Sequence, residues 1–464
     1  FSSSGTIQID SELFTYTGKT TTTFTGVTRA TSGTTAAAHS ASTDNSRTVV
    51  SESWTERDNS RSDANKYEFE RFNFDGNEKI VCVDGDNAPV VFNTSFTATD
   101  VSASSVAGAS IVTAFKNHMF YAGMSSTPQE VVFSQPFDED AFSSGSGAGS
   151  FKVDDTIVGL KVFRDSLFVF CENRIFKLVG SSSSDFAVSP VTRDIGCING
   201  HTIQEFAGDL IFLGPDGLRT VAGTARIGDV ELGTISQNVQ DIFTDNITDS
   251  SVFESVVIPE KTQYRLFFSK AGGLESRTEG LICVLKGQSS GQQGYEFSRL
   301  NGIKPACTDT FIEAGNIIVL HGGFDGYIYR QEEGSTFNGT AINGKYRSSD
   351  LTFGDPGIRK HMQRVIVNFK PTSTIDADMF VRYDYEDKDS ARPAAYPLDS
   401  TDIAGIYGTS TYGTPTYGGA SQPLVRQSVE GSGFAVALRV NDGGVTAPYS
   451  LKGFQLEYQL GARR

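Results

Sequence analysis

The chain has 464 residues, with 39 Lys and Arg against 55 Asp and Glu for a net charge of −16. That length carries two or three domains, and the acidic balance excludes a reader that grips phosphate through a basic face, though not a protein that encloses nucleic acid without gripping it. Forty-eight glycines beside four methionines and one tryptophan, with no long amphipathic helical pattern, place the chain among turn-rich all-β proteins.

The first 65 residues read as a hairpin module followed by an extended arm. Thr6–Ile9, Leu13–Tyr16 and Thr21–Phe24 are the short strands. Residues 29–65 are Ser, Thr, Ala and charge, with Val49, Val50 and Trp54 as apolar anchors, a composition that buries little surface. Phe1 is not a start methionine and no signal peptide is visible, so residues are expected to be missing ahead of it.

From residue 66 to 344 one grammar recurs, clearest in Ile157–Gly180. Three apolar runs, Val158–Phe163, Leu167–Phe170 and Ile175–Val179, are separated by polar turns. Runs of four to six residues rich in Val, Ile and Phe are strands, and one apolar at every position, as Leu167–Phe170 is, is covered on both faces. The central runs begin at residues 80, 119, 167, 210, 265 and 317, in steps of 39, 48, 43, 55 and 52. Propeller blades repeat at about 40–50 residues. The expectation is an irregular, about six-bladed β-propeller, with five or seven blades also compatible and an open meander or sandwich as the competing arrangement. Two polar loops interrupt it: Pro136–Ser150, carrying Asp138, Glu139 and Asp140, and Ser181–Ser184.

Residues 345–464 change period. Arg364–Phe369, Met379–Tyr385, Phe434–Val440 and Phe454–Leu460 are strand candidates. In the last, Phe454, Leu456, Tyr458 and Leu460 share a face, the pattern of an antiparallel β-sandwich with one wet side. Between them Tyr407, Tyr412 and Tyr417 each precede a glycine. They read either as exposed tyrosines of a floppy loop or as an interface, where tyrosine is enriched.

Chemistry is sparse. Cys82, Cys171, Cys197, Cys283 and Cys307 have no metal-ligand spacing, and buried free thiols are expected, as suits a reducing cytoplasm. No cofactor and no metal is expected. No apolar run reaches membrane-spanning length. Asp154-Asp155, Asp138–Asp140 and Asp384–Asp389 are acidic without converging, which leaves a glycosidase without its two carboxylates. Asp84-Gly85-Asp86-Asn87 lacks the downstream Glu of a calcium loop. Gly287–Gly291 has the letters of a nucleophile elbow but no following helix.

Ile157–Gly180, then Asp194-Ile195-Gly196-Cys197, then Asp209–Leu213 leading into Pro215-Asp216-Gly217-Leu218, resemble in order the tail nozzle proteins of short-tailed bacteriophages, also called tail tubular protein B or the DNA-stabilisation protein. The resemblance covers about Tyr67 to Arg464. Phe14–Gly18, Phe24–Arg29 and Gly33–Ser40 are similar to a small module of phage tail proteins. The resemblance implies a structural virion protein and no enzyme: a homo-oligomeric ring, usually of six copies, at the distal end of the tail, assembled in the host bacterial cytoplasm. It implies docking on a tubular adaptor ring, tail fibres as further partners, and DNA passing through the channel without specific binding. Tyr407, Tyr412, Tyr417, Asp138, Glu139 and Asp140 are the candidate intersubunit or channel contacts. The competing functions are a propeller-type polysaccharide hydrolase and a carbohydrate- or receptor-binding adhesin.

Overall fold

The structure, a computed structural model, describes residues 3–9, 12–39, 46–49, 57–59, 61, 65–74, 76–221, 234–247, 250–270, 278–286, 294–303, 305–324, 326–337, 339–370, 375, 377–385, 395–398, 424–444 and 449–463. It is mostly β-structure in small antiparallel sheets. It divides into two compact units, residues 53–331 and residues 1–52 with 332–464. The sequence places its boundaries at 65/66 and 344/345.

The unit of residues 53–331 is a succession of six up-and-down sheets. Their first two strands are Glu68–Phe74 and Asn77–Val83, Ile111–Phe115 and His118–Ala122, Ile157–Phe163 and Ser166–Cys171, Gln204–Phe206 and Asp209–Gly214, Ser250–Ile258 and Gln263–Lys270, and Pro305–Glu313 and Asn316–Gly323. The six apolar runs picked out in the sequence lie in the second strand of each sheet, hydrogen-bonded on both sides.

The reason these runs are apolar throughout is visible in the cores, because alternate residues go to alternate neighbours. Met119 and Tyr121 pack with Phe72 and Val81 of the first sheet. Phe120 and Ala122 pack with Leu167 and Val169 of the third. Phe168 and Phe170 turn the other way, onto Leu210 and Phe212 of the fourth. Ile211 and Leu213 meet Tyr264, Leu266 and Phe268 of the fifth. A short helix, Gln240–Ile247, seals that interface with the fully buried Phe243. Phe267 meets Val319 of the sixth sheet.

The sheets thus pack against one another in chain order, and no closed ring is present among the described residues. The sixth sheet shares only a small core with the fifth, and Phe69 of the first sheet and Phe311 and Ile328 of the sixth remain exposed. In the sixth sheet's leading strand, Pro305–Glu313, no residue beyond Pro305 is buried.

Two phrases of the sequence mark junctions. A Cβ on Gly196 would lie 2.2 Å from the Glu172 carbonyl oxygen. The Ile195-Gly196-Cys197 turn passes so close that the Cys197 N–H donates to the Cys171 carbonyl at 2.8 Å, tying the third sheet to the chain entering the fourth. In Pro215-Asp216-Gly217, Gly217 has φ +131°, and the Asp216 carboxylate accepts from Arg219 and from Thr234 Oγ1.

In the second unit, Glu12–Tyr16, Gly5–Ile9 and Ser46–Val49 form a small sheet over Ile7, Phe14 and Tyr16. The arm expected from residue 29 onward is not extended at its start. The buried Glu12 carboxylate takes both prongs of Arg29 (2.9 and 2.6 Å), the N–H groups of Ala30 and Ala37, and His39 Nε2. Arg29 holds the carboxyl far below the usual range, and the loop to His39 wraps around it.

Residues 344–463 give two four-stranded antiparallel sheets. Met362, Val365 and Val367 of Ile358–Lys370 share one core with Met379 and Val381 of Asp378–Tyr383 and with Val436, Leu438 and Val440 of Val436–Asp442. Phe454, Leu456 and Tyr458 of Ser450–Arg463 join that core as read from the sequence. Leu460 does not, at 65% exposure, although its register with Lys360 continues unbroken from Tyr458. No helix among the described residues is long and apolar enough to cross a membrane.

Candidate functional site: the inner strand edges

The first strand of each sheet in residues 53–331 is bonded within its own sheet on one side only. Its other edge presents N–H and C=O groups that need partners. Side chains from neighbouring sheets supply them. Glu68 and Glu70 stand two residues apart on the first sheet's strand, and outward N–H groups recur at that same interval on the second sheet's strand. The Glu70 carboxylate accepts from Ala114 N–H at 3.0 Å, and Glu68 accepts from Val112 N–H.

The fourth, fifth and sixth sheets are linked in the same way. Ser255 Oγ donates to the His201 carbonyl at 2.6 Å. The Ser255 carbonyl accepts from Gln204 Nε2 at 3.2 Å and from Thr308 Oγ1 at 2.9 Å. Glu254 takes the N–H and hydroxyl of Thr308 at 3.2 and 3.0 Å, and its second oxygen is paired with Lys66, just ahead of the first sheet.

Electrostatics follow from enclosure. Burial pushes the Glu68 carboxyl up to about 7, with the Val112 N–H opposing and Glu70 adding to the rise. Glu68 retains some accessible surface even so. Burial likewise raises Glu70 and Glu254, the latter against the pull of Lys66. It lowers His201 to about 4, assisted by the charge of Lys66.

Beside this network lies a cleft of about 540 Å³ along the leading strands of the fourth, fifth and sixth sheets. Glu205, Ser255, Thr262, Thr308, Asp309 and Thr310 are among its polar lining. No Lys, Arg or His among the described residues lines it. Among the described residues, no group of three or more His, Cys, Asp or Glu side chains could hold a metal ion.

The residues singled out in the sequence fall elsewhere. Tyr407, Tyr412 and Tyr417 lie outside the described residues, as does Gly287–Gly291. Asp138 and Asp140 are exposed, and burial together with Asp138 raises the Asp140 carboxyl. Glu139 is 6% exposed, and its carboxylate pairs with Lys79 of the first sheet while its carbonyl accepts from Tyr121 Oη at 3.1 Å. That side chain is a brace between two sheets, and the loop around it is ordered by a turn of helix at Ser144–Ser146. Asp154 pairs with Arg174, and Asp155 caps Thr156 and Asn173 N–H. Asp84 Oδ1 accepts from the Asp86 and Asn87 N–H groups, as in a strand-to-strand turn. Four of the five cysteines are buried free thiols, but Cys307 is exposed.

Sequence reasoning passed over Glu68, Glu70, Glu254, Ser255 and Thr308. A signal was available in Glu68-Phe69-Glu70-Arg71-Phe72, where acidic residues stand in phase with Phe72 and Phe74, which join the core.

No family model matches the sequence, and no curated protein matches it. Solved structures give slight likenesses. The N-terminal domain of Nup159 is 10% identical over 55% of this chain and 71% of that one, with a TM-score of 0.34. An exo-β-1,3-galactanase from Phanerochaete chrysosporium is 10% identical over 84% and 95%, at 0.28. A family 43 arabinoxylan arabinofuranohydrolase from Bacillus subtilis is 12% identical over 86% and 79%, at 0.22. Likeness of that order carries no argument about this chain's fold or chemistry.

Proposed function

We propose that the chain is a structural subunit of a phage tail, one copy of a nozzle ring that encloses the DNA channel, retains the genome and lets it pass at infection. The supporting observation is how the inner carboxylates are used. Glu68, Glu70 and Glu254 are each bonded to N–H, hydroxyl or ammonium groups of a neighbouring sheet. A glycosidase needs one carboxyl free to protonate a leaving group and a second facing it across the substrate. Here they join sheets, as a scaffold under load requires.

The net charge of −16 fits the same role, because an acidic wall repels phosphate and leaves DNA free to slide. Six copies around an axis make one repeated, closing interface, docked on a tubular adaptor ring and able to carry tail fibres. Subunits of like charge repel, so assembly strengthens as salt screens them. Mass photometry across a salt series, with and without the adaptor, together with electron microscopy, tests the proposal. Rings with a central hole are the expected result. A strict monomer under every condition, or a lumen lined by Lys and Arg, contradicts it.

The second reading, a polysaccharide hydrolase, is favoured by one observation: the cleft touches Ser255 and Thr308, the residues bonded around Glu254. Release of reducing sugar from a host polysaccharide, abolished by Glu254→Gln, would establish it in place of the first.

A further inference from the structure

We infer that the cleft along the leading strands of the fourth, fifth and sixth sheets is a binding site for a neutral oligosaccharide. The inference goes beyond the nozzle role and stands or falls separately from it. The cleft's volume of about 540 Å³ lies inside the range of small-molecule sites, about 300–1,000 Å³. Its lining decides the chemistry of the occupant. Glu205 and Asp309 bring carboxylate acceptors, while Thr262 and Thr310 bring hydroxyls that donate and accept.

With no cationic side chain among the described lining residues, a phosphate, sulfate or uronate would meet carboxylates and gain no counter-charge, so anionic ligands are disfavoured. An ammonium or guanidinium group has donors alone and offers the hydroxyls of Thr262 and Thr310 no acceptor beyond the lining's own carboxylates. Sugar hydroxyls donate to carboxylates and accept from threonines at neighbouring carbons, and so satisfy both. Val257 and Pro259 supply the apolar part of the wall against which sugar C–H faces pack. The walls are fixed in advance, since Gln204, Ser255 and Thr308 are already bonded to one another across the three sheets. A ligand entering there pays little for ordering the site.

The experiment uses the full chain and a panel of neutral trisaccharides (maltotriose, cellotriose, chitotriose and galactotriose), with a heparin-derived trisaccharide and trilysine as controls. Saturation-transfer NMR detects contact and calorimetry measures affinity. Saturable binding of at least one neutral member is expected, weakened about ten-fold or more by Glu205→Arg and by Thr310→Arg. Circular dichroism and thermal unfolding of both variants confirm folding, and Asp309→Asn gives a milder test without added bulk. Binding of none of the neutral sugars overturns the inference. So does affinity unchanged in all three variants, or preference for the heparin fragment or for trilysine. Ring assembly of the same samples, followed in parallel, shows whether the nozzle proposal stands when this one fails.

Discussion

The stacked sheets and the C-terminal sandwich solve one problem in two ways. In the stack, Ser166–Cys171 is buried at all six positions, because the sheets on either side each take alternate side chains. In the sandwich, Ile358–Lys370 alternates, with Met362, Val365 and Val367 buried and Gln363 and Arg364 exposed. A sheet with two neighbours needs unbroken apolar runs, whereas a sheet with one neighbour needs every second residue. The stack then carries an extra burden, a free inner edge on each leading strand. Polar side chains from the adjoining sheet meet that burden with hydrogen bonds.

The largest expected effect sharpens the contrast. Phe170→Ala removes a fully buried ring that meets Phe212 at 5.4 Å between centroids, and should cost about 3–5 kcal/mol by denaturant unfolding. Leu438→Ala in the sandwich, 1% exposed, should cost about 2–4 kcal/mol. Segment-resolved hydrogen exchange should place each loss in its own unit. If Phe170→Ala loosened both equally, they would not be separate cooperative bodies.

Next comes pH. Glu68 titrates near 4.5 when unfolded and is raised to about 7 in the folded chain. A carboxyl raised on folding contributes stability that is fully present below pH 4.5 and is lost as pH rises to about 7. Glu70 and Glu254 act in the same direction, whereas His201, lowered on folding, acts in the opposite one. Comparison with Glu68→Gln isolates the one group. The variant should gain on the order of 1–2 kcal/mol relative to the parent between pH 5 and pH 8, discounted for partial exposure. Parallel stability curves for the two proteins would show that Glu68 is not held in an enclosed space.

Glu12→Gln tests the one carboxylate that organises a loop instead of an edge. Arg29 should lose its hold and trypsin should cut there faster, while the stack unfolds as before. Unchanged cleavage would mean that the loop stands without its anion. The smallest effect belongs to Ile312→Ser, which alters a side chain 74% exposed and should change stability by less than about 0.5 kcal/mol.

These contrasts also show what could be read in advance. The second strands of all six sheets were legible by their largely apolar runs, which in the second to fourth sheets answer to burial on both faces, a condition written in consecutive residues. The sandwich strands were legible by alternation as far as Tyr458, whereas Leu460, on the same face of the strand, stands in solvent. Ring closure was not legible, since it depends on the sixth sheet's outer face, where Phe311 and Ile328 look like core residues and are exposed. Nor was the inner network, because Lys66, Glu254 and Thr308 are far apart in the chain and are brought together by sheet order. The three acidic residues 138–140 looked like one surface feature, yet Glu139 alone turns inward to meet Lys79.

The central claim is that inner carboxylates cap free strand edges. It is tested most directly by hydrogen exchange at the Ala114 amide, with and without Glu70. Ala114 N–H points out of its own sheet to Glu70 at 3.0 Å, so the account predicts slow exchange in the parent chain. Glu70→Ala should speed exchange at Ala114 and leave Phe120, in the middle of the same sheet, protected. Fast exchange at Ala114 in the parent, or protection that survives the loss of Glu70, would contradict it.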